Sequence, residues 1–120
     1  MTMISRRSVL AGLGALSAAP AFASTNTLDR LVGESLILGF LGSAPDAEGA
    51  DRIERDLAEG RIGGVLFLRH NARSREGVLG LARRFRAAAP NAWLAIDQEG
   101  GFVQRLTDEM GFTDIPTAEQ

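Results

Sequence analysis

Ile62-Gly63-Gly64-Val65-Leu66-Phe67-Leu68 is the stretch that decides the fold. A strand with one wet face alternates apolar and polar residues, whereas this run is apolar on both faces. Continuous apolar strands of this length belong to parallel sheets covered on both sides. Upstream, Gly60 is a helix stop of the kind that favours a left-handed residue. The helix it ends carries Ala50, Ile53, Leu57 and Ala58 on one face, at spacings of three and four. Pro45 suits the first turn of that helix, and Asp46 and Glu48 suit the positive end of its dipole. Further upstream, Leu36-Ile37-Leu38-Gly39-Phe40 reads as a buried strand, broken by Gly42-Ser43-Ala44-Pro45. A short helix over Leu28–Glu34 precedes it, after a loose polar leader at residues 24–27. Downstream, Ser74 is the N-cap of a long helix. Its apolar stripe is Val78, Leu81, Ala82 and Phe85, and Pro90 ends it. Arg75, Arg83, Arg84 and Arg86 lie mostly off the stripe and read as a solvated face. Trp93-Leu94-Ala95-Ile96 is a third strand.

The order is therefore helix, strand, helix, strand, helix, strand, with two strand–helix–strand units. Such units imply parallel pairing with right-handed crossovers. Three parallel strands are few for an α/β domain, since doubly wound sheets and eight-stranded barrels run well past 120 residues. The last six residues, Ile115 to Gln120, read as the start of a further helix. The expectation is an incomplete α/β domain over residues 24–120.

Residues 1–23 read differently. Ser5-Arg6-Arg7-Ser8-Val9-Leu10 is a twin-arginine n-region, Val9 to Ala19 is an apolar stretch too short to span a bilayer, and Ala21-Phe22-Ala23 offers a cleavage site before Ser24. This predicts export through the twin-arginine translocase to the periplasm or the exterior, without a stable membrane anchor. Setting aside Arg6 and Arg7 leaves 11 arginines against 15 acidic side chains, a net charge of −4. That charge speaks against nucleic acid as a partner. With no cysteine, the chain has no disulfide framework, thiol chemistry or cysteine-linked lipid. One histidine without cysteine makes a metal site an unfavourable reading, and no cofactor is expected.

In parallel α/β folds, binding groups gather at the C-terminal ends of strands. That selects Gly39–Ser43, Leu68–Asn71 and Asp97–Arg105. The third is richest: Asp97-Gln98-Glu99-Gly100-Gly101-Phe102-Val103-Gln104-Arg105-Leu106 sets carboxylates, amides and an arginine around a glycine pair. A strand-end aspartate can accept two hydroxyl hydrogen bonds, the glycines permit close backbone approach, and Arg105 supplies a planar donor. The set suits a polyol better than a phosphate.

This string, with Gly60-Arg61-Ile62-Gly63-Gly64-Val65-Leu66-Phe67 before it and Gly111-Phe112-Thr113 after it, resembles glycoside hydrolase family 3. The similarity is greatest to the bacterial β-N-acetylglucosaminidase (β-hexosaminidase) branch and covers about residues 28–120. The resemblance implies the first three β/α units of a (β/α)8 TIM-type barrel. It also implies retaining hydrolysis of terminal β-linked N-acetylglucosamine, with a carbohydrate partner for which peptidoglycan- and chitin-derived saccharides are the candidates. The family's aspartate nucleophile and its histidine acid/base lie later than residue 120, so no catalytic residue is expected in this chain. By motif position, Asp97 and Arg105 are the implied substrate-binding residues. Phe102 departs from the pattern, where a basic residue is common. The alternatives are a non-catalytic sugar-binding or vestigial module, and β-glucosidase or β-xylosidase specificity.

Other residues draw blander readings. Asp97 and Glu99 could be a carboxylate pair, since retaining glycosidases hold two carboxyls about 5–5.5 Å apart. Glu99 is better read as bracing the loop by accepting backbone N–H groups. His70 reads as loop structure or rim. Trp93, at the start of its strand, reads as core or bottom-face packing rather than a sugar platform.

Overall fold

The computed structural model describes residues 23–117. The export signal read over residues 1–23, Ala23 excepted, lies outside them. Among the described residues, no helix is long and apolar enough to cross a membrane.

The elements in chain order are α1 (Ala23–Glu34), β1 (Ile37–Gly39), α2 (Glu48–Ala58), β2 (Gly64–Phe67), α3 (Arg75–Ala88), β3 (Trp93–Ile96) and a 3₁₀ turn, Asp108–Met110. The strands form one parallel sheet in the order β1-β2-β3. Leu38 pairs with Val65, and Val65 with Leu94. Helices and strands alternate as expected, and all three strands end at one edge of the sheet.

Local chemistry sets most boundaries. Gly60, at φ 69°, closes α2. Its N–H bonds Leu57 O (3.1 Å) and the Arg61 N–H bonds Asp56 O (2.8 Å), the paired bonds of a Schellman motif. Ser74 caps α3 by accepting from the Gly77 N–H at 3.1 Å. Ala89, the residue before Pro90, is extended, because a following proline disfavours the helical region.

Some details of the elements differ from the sequence reading. The first helix reaches back to Ala23 instead of starting at Leu28, since no glycine or proline interrupts residues 23–32. Pro45 is not in the first turn of α2, which begins at Glu48. It lies in a turn closed by the Ala47 N–H on Ala44 O, where its fixed φ is equally at home. The strand at residues 36–40 is not buried: Leu36, Ile37 and Leu38 are more than two-fifths exposed and only Phe40 is covered. As an edge strand, β1 has a neighbour on one side alone among the described residues. Residues 115–117 form no helical turn.

The core lies between α2, α3 and the sheet. Ala50, Ile53 and Leu57 from α2 meet Val78, Leu81 and Phe85 from α3 over Val65 and Phe67. Ala58, expected on the apolar face, is exposed. Phe40 stands edge-on to Phe67 and Phe85, with centroids 5.4 and 5.3 Å apart, a favoured aromatic geometry. Leu81 and Phe85 are fully buried, so truncating Leu81 to alanine would cost about 2–5 kcal/mol. Arg84 is not part of a solvated face. Only 23% exposed, it reaches from α3 to Asp51 (2.6 Å) and Glu54 on α2 and to the Pro45 carbonyl. The hydrogen bonds it donates to Glu54 and then Asp51 raise its pKa above the ordinary value.

Candidate functional site

Because the strands are parallel, the segments after β1, β2 and β3 emerge at one edge of the sheet. Two of them are tied together by Asn71, a polar side chain with no exposed surface. Its Oδ1 accepts the Leu68 N–H at 2.8 Å. Its Nδ2 donates to Phe40 O at 3.0 Å and to Gly42 O at 2.7 Å. The His70 ring is half-buried, with Nε2 2.7 Å from the same Phe40 carbonyl. His70 is thus loop structure, as expected. The role of Asn71 is invisible in the sequence, because a lone asparagine in Arg69-His70-Asn71-Ala72 carries no distinguishing pattern.

The third segment carries the candidate site. Asp97 is the first residue past β3, and its N–H bonds Phe67 O at 3.1 Å, which continues the sheet ladder by one step. Ala95 and Asp97 share a face, since side chains alternate along a strand. The chain then turns back on itself. Glu99 N donates to Val103 O (2.8 Å) and Val103 N to Gly100 O (3.2 Å). Gly101, at φ 56°, fills the first central position, the requirement of a type II′ turn. Gly100 is needed for space as well as for its φ of 81°: a Cβ there would lie 2.6 Å from Ile115 O.

The return brings Arg105 beside Asp97. Nη2 stands 3.0 Å from Asp97 Oδ2, with the arginine side chain 17% and the aspartate 37% exposed. Arg105 Nε is buried and has no hydrogen-bond partner. The arginine's place is set by a second contact, at its backbone. The holder is Gln98. Its Oε1 accepts the N–H groups of Arg105 (3.2 Å) and Leu106 (2.8 Å). The bracing role assigned to Glu99 therefore belongs to Gln98, while the Glu99 side chain is exposed. Asp97 partners Arg105.

Farther along, Arg75 at the first position of α3 holds the turn after the 3₁₀ segment. It donates to the Gly111 carbonyl and lies 4.6 Å from the centroid of the Phe112 ring. Trp93 is 70% exposed at the opposite end of β3, so it is not core; it borders a groove of about 1030 Å³ between the helix ends. Among the described residues, no three His, Cys, Asp or Glu side chains cluster to hold a metal ion.

Chemically, the Asp97–Arg105 pair sets an acceptor and a planar donor side by side on a braced turn. A ligand group that both donates and accepts, as a hydroxyl does, matches it.

No protein-family model matches the chain. Among curated proteins it is 37% identical over 82 residues to a beta-hexosaminidase of Stenotrophomonas maltophilia (strain K279a), covering 68% of this chain and 23% of that protein. It is 34% identical over 82 residues to a beta-hexosaminidase of Xylella fastidiosa (strain M12), with the same coverage. The chain thus spans less than a quarter of the length of these relatives. Among solved structures it is similar to a glycoside hydrolase family 3 beta-N-acetylglucosaminidase from Paenibacillus sp. str. FPU-7, with TM-score 0.60 and 28% identity over 75% of this chain and 17% of that one. NagZ from Neisseria gonorrhoeae, solved in complex with N-trifluoroacetyl-D-glucosamine, matches with TM-score 0.52 and 29% identity over 68% of this chain and 22% of that one. In sequence and in backbone alike, the chain resembles part of a glycoside hydrolase family 3 β-N-acetylglucosaminidase.

Proposed function

We propose that this chain is the front part of an exported glycoside hydrolase that removes terminal β-linked N-acetylglucosamine by a retaining route. In this reading the three β/α units begin a (β/α)8 barrel, and Asp97 and Arg105 bind hydroxyls of the sugar whose bond is cleaved. The observation that carries it is the Asp97–Arg105 pair at the end of β3, within the string that resembles the family motif. Asp97 Oδ2 is engaged by Arg105, and its remaining lone pairs can accept from vicinal hydroxyls. The guanidinium orients the carboxylate, and Gln98 holds the backbone of Arg105. The nucleophile and the acid/base are assigned to residues outside these 120, as the family resemblance implies. Peptidoglycan- or chitin-derived saccharides are the substrates this reading favours. The twin-arginine motif at Arg6-Arg7 supports a periplasmic or secreted location.

The test is hydrolysis of a chromogenic β-N-acetylglucosaminide by the polypeptide expressed from the complete reading frame, beside the matching glucoside and xyloside. Turnover of the N-acetylglucosaminide is expected, and Asp97→Asn should lower kcat/KM about 10- to 150-fold, the span of a hydrogen bond to a charged group. No turnover on any of the three would sink the hydrolase reading, and preference for the glucoside or xyloside would replace its sugar.

A further inference from the structure

Phe102 is the most exposed large apolar side chain among the described residues, at 107% of its reference surface, so none of them covers the ring. The other described phenylalanines all have company. Phe40, Phe67 and Phe85 form the aromatic core, and Phe112 packs under the Arg75 guanidinium. The backbone that presents Phe102 is held firmly. The turn is closed by the Val103–Gly100 bond, and the Gly100 backbone lies hard against residues 115–116. An apolar ring is therefore held out in water at the tip of a fixed turn.

The base of that turn is the Asp97–Arg105 pair. Three residue steps lead from Phe102 to Arg105, so their Cα atoms can be at most about 11 Å apart. A group joined to a ligand held at Asp97 lies within that reach. A sugar ring offers hydroxyls at its edge and C–H bonds on its face. The edge matches Asp97 and Arg105, and the face of the next ring matches an aromatic platform.

We propose that Phe102 is the platform for the leaving-group side of the substrate, stacking on the sugar or aryl ring attached to the residue that Asp97 and Arg105 hold. The inference rests on the hydrolase reading above and assigns this chain a preference for uncharged, ring-bearing leaving groups.

The experiment compares two β-N-acetylglucosaminides in the polypeptide from the complete reading frame. One carries a methyl leaving group; the other is N,N′-diacetylchitobiose. Phe102→Ala should raise KM for the disaccharide about tenfold, ~1.4 kcal/mol, the scale of one aromatic face returned to water. The methyl glycoside should change less than about twofold by the same measure. Phe102→Trp should restore the disaccharide KM and Phe102→Arg should not. Equal effects on both substrates, or none on either, would overturn the platform. Equal effects with a lowered unfolding midpoint would show that another part of the protein covers Phe102 instead. A wild type that turns over neither substrate would overturn the hydrolase reading and this inference with it, a result distinct from the other two.

Discussion

Replacing Asn71 by alanine tests how the strand-end loops are held. Asn71 makes three hydrogen bonds from a site with no exposed surface. Alanine strips the Leu68 N–H of its acceptor and the Gly42 carbonyl of its side-chain donor, while Phe40 O keeps its bond to His70. Each group left without a partner costs about 1–3 kcal/mol, so the two together should cost the variant ~2–6 kcal/mol. His70→Ala removes a single bond to a carbonyl that Asn71 still serves, so it should lose only ~0.5–1.5 kcal/mol. The double variant strips Phe40 O as well and should exceed the sum of the two singles by about 1 kcal/mol, the coupling expected of groups sharing a partner. Urea unfolding of the polypeptide from the complete reading frame measures these losses, provided the m-values agree. Amide exchange at Leu68 gives a local readout, faster in Asn71→Ala and unchanged in His70→Ala. An Asn71→Ala loss below about 0.5 kcal/mol, or a His70→Ala loss equal to it, would refute the network as described.

Gly100→Ala sets a methyl against the 115–116 backbone at a φ of 81°. It should cost ~1–3 kcal/mol and weaken saccharide binding, measurable by calorimetry, because the turn that carries Arg105 must shift. Arg84→Met should lose about 1 kcal/mol in urea unfolding, since the cation is partly exposed and its ion pairs are screened. A cation whose folded pKa is raised contributes stability that is present at every pH below its unfolded value, itself far above neutrality, and lost only above it. The arginine itself should therefore add no pH dependence between about pH 5 and pH 9, checked by comparing variant and wild type across that range. The 24–120 segment alone should lack a cooperative thermal transition, with Leu28, Leu31, Val32 and Leu41 all more than half exposed and β1 an open edge. A sharp melt by circular dichroism would count against that.

The parts of the fold legible in the sequence are those set by chemistry within a few residues. Gly60 stops α2 by taking a left-handed φ, Ser74 caps α3 with its own oxygen, and Pro90 ends α3 by excluding Ala89 from the helical region. Each effect acts over a turn or less, so the order of letters is enough. Pro45 misleads because a first helical turn and the second position of a β-turn need the same φ. The exposure of β1 is hidden because it depends on what lies alongside, and an apolar run reads the same at the edge of a sheet as at its centre. Arg84 cannot be told from Arg83 and Arg86 until Asp51 and Glu54 are seen to face it from α2.

The site divides along the same line. Asp97 and Arg105 stand out because carboxylate, glycine pair and arginine form a string whose residue types make sense together. What makes them a site is their nearness in space, and that depends on the turn between them. Two glycines at positive φ reverse the chain, and the carboxamide of Gln98 then fixes how far it returns by holding two N–H groups of the far arm. Gln98 is neutral, so it holds the backbone of Arg105 without competing for the guanidinium, which is left to Asp97. A carboxylate there would accept the same two N–H groups but would also stand as a second anion near Arg105 and draw it from Asp97. The amide between two acids in Asp97-Gln98-Glu99 therefore braces the turn while leaving the one ion pair of the site undivided.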